Sequence, residues 1–393
     1  MVNQRMLGLG TNRNVIRELF EYGNRRRAEV GAENVYDFSL GNPSVPPPAA
    51  LNESILRILR ENPNAIHGYT SAPGDPGVRK TLAASLNRRF GTAYGPDDFY
   101  VTVGATAALC CAINGLSCPG DEFVTFAPYF PEYKVFVEGA GAVFKLVPPE
   151  MENFQINFAA FEAMLNEHTK GVIINSPNNP SGVVYSRATL EKLAALLTEK
   201  SKEYGHAIYL ISDEPYREVV FTGVEVPWIP SVYKDTIICY SFSKALSIPG
   251  ERIGYVLVPP EITDAELVYP AVAGAGRSLG YVNAPSLFQR VMAECCDLTS
   301  DISVYEENCA LLVDALRAMG YYVVQPGGAF YLFVRALEED DMAFSERAKQ
   351  FDLLLVPGCG FGVSGYVRLA FCVEQDMIRR SLPKFQALAD SYR

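Results

Sequence analysis

TIICYSFSKALSIPGERIG, residues 236–254, runs from an apolar stretch into a lysine and then an arginine eight positions later. TIICY reads as a strand buried on both faces, because its apolar residues are continuous and include β-branched ones. Lys244 follows that strand between Ser243 and Ala245, and Pro249-Gly250 precede Arg252. RIGYVLV (252–258) reads as the next strand. Ligands of open α/β sheets bind beyond the carboxyl ends of strands. A lysine just past such an end is therefore a candidate for chemistry.

Outward from this stretch, FYVTV (99–103), EFVTF (122–126), GVIIN (171–175) and AIYLIS (207–212) also read as buried strands. TAALCCAINGL (106–116) and RATLEKLAALLTEKSKEYG (187–205) read as helices between them. The second carries Leu190, Leu193, Leu196 and Leu197 at helical spacing and a lysine-rich end. Alternation of strand and helix predicts an α/β fold with a mostly parallel sheet between helices. After Pro285 a helical stretch leads to GYYVVQPGGAFYLFV, LLLVPG and GYVRLAF, strands of a different rhythm that predict a second, smaller α/β domain. Near the start, NRNVIRELFEYGNRRRAEVG (12–31) is a helix candidate, and VYDFSLGNPSVPPP (35–48) a strand entering a proline-stiffened turn. This segment is expected to pack with the C-terminal part or on a partner chain. The expected division is 46–290 for the large domain, with 1–45 and 291–393 forming the small one.

The 393 residues carry a net charge of −11, which argues against bulk binding to nucleic acid or anionic membranes. No apolar run approaches the roughly 20 residues of a membrane span. MVNQRMLGLGTNR lacks the apolar core, about 7–15 residues, that a secretory signal needs. The expected compartment is cytoplasmic. Nine cysteines without C-x-x-C spacing, and only three histidines, predict neither a disulfide framework nor a metal site.

The polar residues at the strand ends describe a ligand. Gly104-Ala105-Thr106 opens a helix, and its free N–H groups and hydroxyl suit an anion. Ser241 and Arg252 can reach the same anion, the arginine with a fixed, always-charged fork. Phe130 or Tyr129 can stack on a planar ring. Asp213 can hold a protonated ring nitrogen, and Lys244 can form an imine with an aldehyde. Phosphate, aromatic ring, basic nitrogen and aldehyde together describe pyridoxal 5'-phosphate. One pattern is a decoy. Gly360-Phe361-Gly362-Val363-Ser364-Gly365 fits G-x-G-x-x-G but precedes a strand, whereas a dinucleotide site requires a helix there.

The chain resembles the class I/II aminotransferases, the fold-type I pyridoxal-phosphate enzymes related to aspartate aminotransferase. The landmarks are Gly41-Asn42-Pro43, Gly68-Tyr69, Asn178-Asn179-Pro180-Ser181-Gly182, Asp213-Glu214-Pro215-Tyr216, Ser241-Phe242-Ser243-Lys244 with Arg252, and Tyr366-Val367-Arg368-Leu369. They stand in family order over residues 30 to 390. The resemblance implies a Schiff base at Lys244, which also moves the proton. It implies that Asp213 pairs with the pyridine nitrogen, and that Tyr216 and Asn179 touch the ring's phenolic oxygen. Phe130 stacks on the ring. Ala105, Thr106, Ser241, Ser243 and Arg252 cup the phosphate. Gly41, Asn179 and Arg368 receive the substrate, with Arg368 on its α-carboxylate. Tyr69 reaches the neighbouring subunit's phosphate, which implies a homodimer. The implied activity is transfer of an amino group from an L-amino acid to a 2-oxo acid. The alternative on this scaffold is a carbon–sulfur (β-elimination) lyase or an aminocyclopropane-carboxylate-synthase-like enzyme. Substrate stays open. Arg277 lies one residue from the position where relatives carry a side-chain-reading arginine, and Ser278 occupies that position. Acidic, aromatic and neutral aliphatic amino acids all remain candidates.

Overall fold

A computed structural model describes residues 2–11, 15–61 and 63–393. The strands in chain order are β1 (Tyr36–Asp37), β2 (Phe99–Thr102), β3 (Glu122–Phe126), β4 (Val143–Val147), β5 (Thr169–Asn175), β6 (Tyr209–Asp213), β7 (Thr236–Ser241) and β8 (Gly254–Leu257), then β9 (Tyr331–Arg335), β10 (Leu353–Leu354), β11 (Val356–Pro357) and β12 (Tyr366–Ala370). Seven of them form one sheet in the order β2-β8-β7-β6-β5-β3-β4. Neighbours run parallel from β7 through β4, while β8 is antiparallel to both β7 and β2. The central strands are buried along their whole length, as continuous apolar runs require. β4 was not foreseen, because VFKLV lies at the sheet edge and is only partly buried.

The antiparallel step has a local cause. A parallel crossover needs a dozen or more residues, usually with a helix of its own. Here 242–253 hold only a four-residue helix, Phe242–Ala245, and a single 3-10 turn. The chain folds back, and Ser241 pairs with Gly254.

Helices pack against this sheet. Helix Ala105–Leu116 starts from Gly104 at φ 89°, a conformation that favours glycine, and buries Ala108, Leu109, Ala112 and Ile113 under the sheet. Gly115 lets helix Ala265–Ser278 approach closely, since a Cβ there would sit 2.9 Å from the Val272 nitrogen. Helix Arg187–Tyr204 is capped by Ser186, whose side chain accepts from the Thr189 nitrogen, and ends at Gly205 in the left-handed conformation. It buries Leu190, Leu193, Ala194 and Leu197. Each of the three leucines contributes roughly 1.5–3 kcal/mol.

The remaining strands form a smaller unit. β9, β11 and β12 make an antiparallel sheet, and β1 pairs in parallel with β10. Their core is shared with helices Ser303–Ala318 and Gln375–Asp390. The early segment thus packs on the C-terminal part, and its helix spans Val15–Val30; residues 12–14 of the expected helix lie outside the described residues. The glycine-rich pattern at 360–365 starts within the 3-10 turn Gly358–Phe361 and continues through further turns into β12, with no α-helix after it. Among the described residues, no helix is long and apolar enough to cross a membrane.

Candidate active site

The carboxyl ends of β5, β6 and β7 lie side by side, with Asn175 opposite Asp213 and Asp213 opposite Cys239 in register. A cavity of about 310 Å³ opens there. Gly41, Ala105, Thr106, Phe130, Asn179, Asp213, Tyr216, Ser241, Ser243, Lys244, Arg252 and Arg368 all line it. Of the expected site residues, only Tyr69 does not; it is 97% exposed. Tyr129 is absent from the lining and packs against Phe144 at 5.3 Å instead, so of these two aromatics Phe130 is the one at the cavity. Arg277 is exposed at the end of helix Ala265–Ser278 and does not line the cavity of its own chain.

The pairing of Ser241 with Gly254 answers why Lys244 and Arg252 are neighbours: they stand on one loop closed by that pair. A Cβ on Gly254 would approach the Gly104 Cα to 3.1 Å, and one on Gly104 would meet Arg252 Nη2 at 2.9 Å. Two glycines thus allow the helix start, the loop and the guanidinium to converge. The Ser241 hydroxyl accepts from the Ser243 nitrogen at 3.2 Å, and the two hydroxyls are 2.7 Å apart. Arg252 itself is left-handed, at φ 53°. Hydroxyls, helix-start N–H groups and an arginine form a cradle for a phosphate.

Asp213 is held rigidly. Its backbone carbonyl accepts from Asn175 Nδ2 at 2.8 Å, and its Oδ2 accepts from the Tyr133 hydroxyl at 2.6 Å. Its Oδ1 is buried and has no partner. Burial pushes this carboxyl up to about 7, against the lowering effect of the Tyr133 hydrogen bond. An orphaned carboxylate oxygen in such a place fits a cationic N–H of a bound ring.

Lys244 Nζ donates to the Gly41 carbonyl at 2.7 Å. Burial lowers its pKa to about 8; Cys372 opposes this, and the Arg252 and Arg368 charges assist it. Arg368 donates from Nη1 to Asn179 Oδ1 at 3.0 Å and from Nη2 to the Ser39 carbonyl at 2.6 Å, and its Nε is unpartnered. Desolvation depresses this guanidinium below its usual value. A buried cation with a free donor is suited to a carboxylate. Tyr216 and Tyr331 share a hydrogen bond at 3.0 Å. Any side chain at Gly41 would collide with the Tyr331 hydroxyl.

The family model for aminotransferase class I and II matches residues 32–385. The chain belongs to this family. As a class I/II aminotransferase it is 31% identical over 364 residues to the aspartate aminotransferase of Thermotoga maritima, covering 91% of this chain and 92% of that one. It is 26% identical to a probable N-acetyl-LL-diaminopimelate aminotransferase of Bacillus subtilis, over 90% of this chain and 89% of that one. An amino transferase of Eubacterium rectale superposes with a TM-score of 0.98 at 52% identity, covering 100% of this chain and 99% of that one. The aminotransferase is thus of fold type I, and its cofactor is pyridoxal phosphate. These likenesses lend the lyase alternative no support.

Tyr133, Tyr331 and Ser39 were not singled out from sequence. Tyr133 and Tyr331 meet partners that stand 80 and 115 positions away in the chain, which no local spacing signals.

Proposed function

We propose that this aminotransferase holds its cofactor through Lys244 and Asp213 and its amino acid through Arg368. The observation that carries this is the unpartnered Asp213 Oδ1, lining the same cavity as Lys244. Bound there, pyridoxal phosphate supplies an electron sink for the pair left when the substrate's Cα–H proton departs. Asp213 keeps a ring proton in place by its charge. Ser241, Ser243, Arg252 and the start of helix Ala105–Leu116 bind the phosphate. Tyr216 and Asn179 direct polar groups to the ring's oxygen, and Phe130 covers a ring face. Gly41 leaves room for the substrate. Lys244 Nζ, unprotonated above about pH 8, takes the Cα proton and hands it on. Arg368 fixes the α-carboxylate so that this transfer is near-intramolecular.

The assembly we infer is a homodimer in which Tyr69, 97% exposed, completes the partner's phosphate site. Residues 46–290 act as the large domain, with 1–45 and 291–393 as the small one. The absence of an apolar spanning helix among the described residues is compatible with a cytoplasmic enzyme.

The test is an absorbance spectrum of the purified protein with L-amino acids and then a 2-oxo acid. A visible band lost with particular amino acids and restored by the 2-oxo acid is expected. No band after adding pyridoxal phosphate would refute the assignment of Lys244.

A further inference from the structure

Ile16 lines the catalytic cavity and also a second cavity of about 440 Å³ behind it. The second is a groove walled by Leu9 and Val15, by Pro131, Glu132 and Val135, and by Val356, Pro357, Gly360 and Phe361. We propose that the amino acid handled by this enzyme carries a large apolar side chain, which passes Ile16 and lodges in this groove. The proposal rests on the reading above, in which Arg368 holds the α-carboxylate beside Lys244.

Three observations support it. The first is position. Phe361 lines the groove, and the Arg368 guanidinium lies 5.0 Å over its ring. The groove therefore begins beside the group that grips the carboxylate. A substrate held there would reach the groove by way of Ile16, the residue that lines both cavities.

The second is charge. Among the described residues, Glu132 is the one ionisable side chain lining the groove. Arg5, which donates to the Val135 carbonyl at 3.4 Å, is not among the lining residues. Among the described residues, the cations lining the catalytic cavity are Lys244, Arg252 and Arg368, and each already has a task. A substrate carboxylate entering the groove would lose water and meet another carboxylate. Burying an unpaired charge in that way is unfavourable.

The third is size and surface. A cavity of roughly 150 Å³ with apolar walls is enough to bind benzene, so this groove accommodates an aryl ring or a branched alkyl chain. Leu9 is 46% exposed on a helix that buries no residue, and an apolar side chain in the groove would cover it.

The test uses the reconstituted holoenzyme and stopped-flow half-reactions with L-phenylalanine, L-leucine, L-alanine and L-aspartate. The expected kcat/KM for L-phenylalanine or L-leucine exceeds that for L-aspartate by at least about 10-fold. Val135→Trp fills the groove and is expected to lower the L-phenylalanine to L-alanine ratio by about 10-fold or more. Glu132→Lys, at a partly exposed position that tolerates a charge, should shift the preference toward L-aspartate. Equal or greater wild-type reactivity of L-aspartate, or ratios unmoved in both variants, would overturn the proposal while leaving Lys244 and Arg368 in their roles. Reaction with none of the four amino acids would overturn the site reading with it.

Discussion

The Tyr133 hydroxyl donates to Asp213 Oδ2 at 2.6 Å, and Asp213 Oδ1 is left buried without a partner. One oxygen is anchored by the protein, and in the proposed site the other serves the cofactor. Tyr133→Phe removes the anchor and the hydrogen bond that restrains the carboxyl's upward shift. A hydrogen bond to a charged group is worth about 1.5–3 kcal/mol. Pyridoxal phosphate affinity is therefore expected to weaken by roughly one to two orders of magnitude, with a lower kcat. Titration of the apoprotein followed by absorbance checks this, and an unchanged Kd would argue against the anchoring role.

Asp213 also makes the apoprotein's stability depend on pH. Its carboxyl titrates near 7 when folded, against 3.8 ordinarily. The stability contribution of a group raised in this way is full below pH 3.8 and is lost as pH rises through about 7. Asp213→Asn removes the titration. Its apoprotein should melt above the wild type at pH 8, by on the order of 4 kcal/mol in stability, with the gap closing toward pH 4. Thermal melts across this range test it; a gap independent of pH would contradict it.

Lys244→Ala should abolish turnover yet still bind the cofactor through the phosphate cradle. In the unmutated apoenzyme, cofactor capture should accelerate up to about pH 8, where the Lys244 amine becomes neutral, and level off above. Retained full activity in the variant, or a pH-independent capture rate, counts against Lys244 as the reacting amine.

Arg368→Lys keeps a charge but loses the fork that spans Asn179 and Ser39. The loss of a charged hydrogen bond predicts a fall in kcat/KM for the amino acid of roughly 10- to 100-fold. Most of it should appear in KM. Steady-state kinetics decide, and a fall confined to kcat would point away from carboxylate binding.

Tyr69→Phe should weaken cofactor binding although Tyr69 touches no part of its own chain's cavity. Combining Tyr69→Phe subunits with Lys244→Ala subunits should give hybrids with one intact site. Hybrids without recovered cofactor affinity, or a monomer by sedimentation, would remove Tyr69 from the site.

Strand ends were readable from the chain alone. Buried strands are short apolar runs, and the residues that close them, Asn175, Asp213 and Ser241, stand at the sheet's carboxyl edge whatever the helices do. Chemistry concentrated at that edge therefore announces itself locally, as Lys244 and Arg252 do. The antiparallel turn of β8 was less visible, because strand direction depends on how the link packs rather than on composition. Tyr133, Tyr331 and Ile16 were invisible as site residues. An aromatic or aliphatic residue on a helix or strand reads as core, and only the packing of distant elements brings a hydroxyl to Asp213 or a side chain to the substrate path. Sequence alone thus determined the central strands and the cofactor chemistry, since both follow from local pattern. Tertiary structure decided how the carboxylate is anchored and which distant residues wall the cavity, because both depend on contacts across the fold.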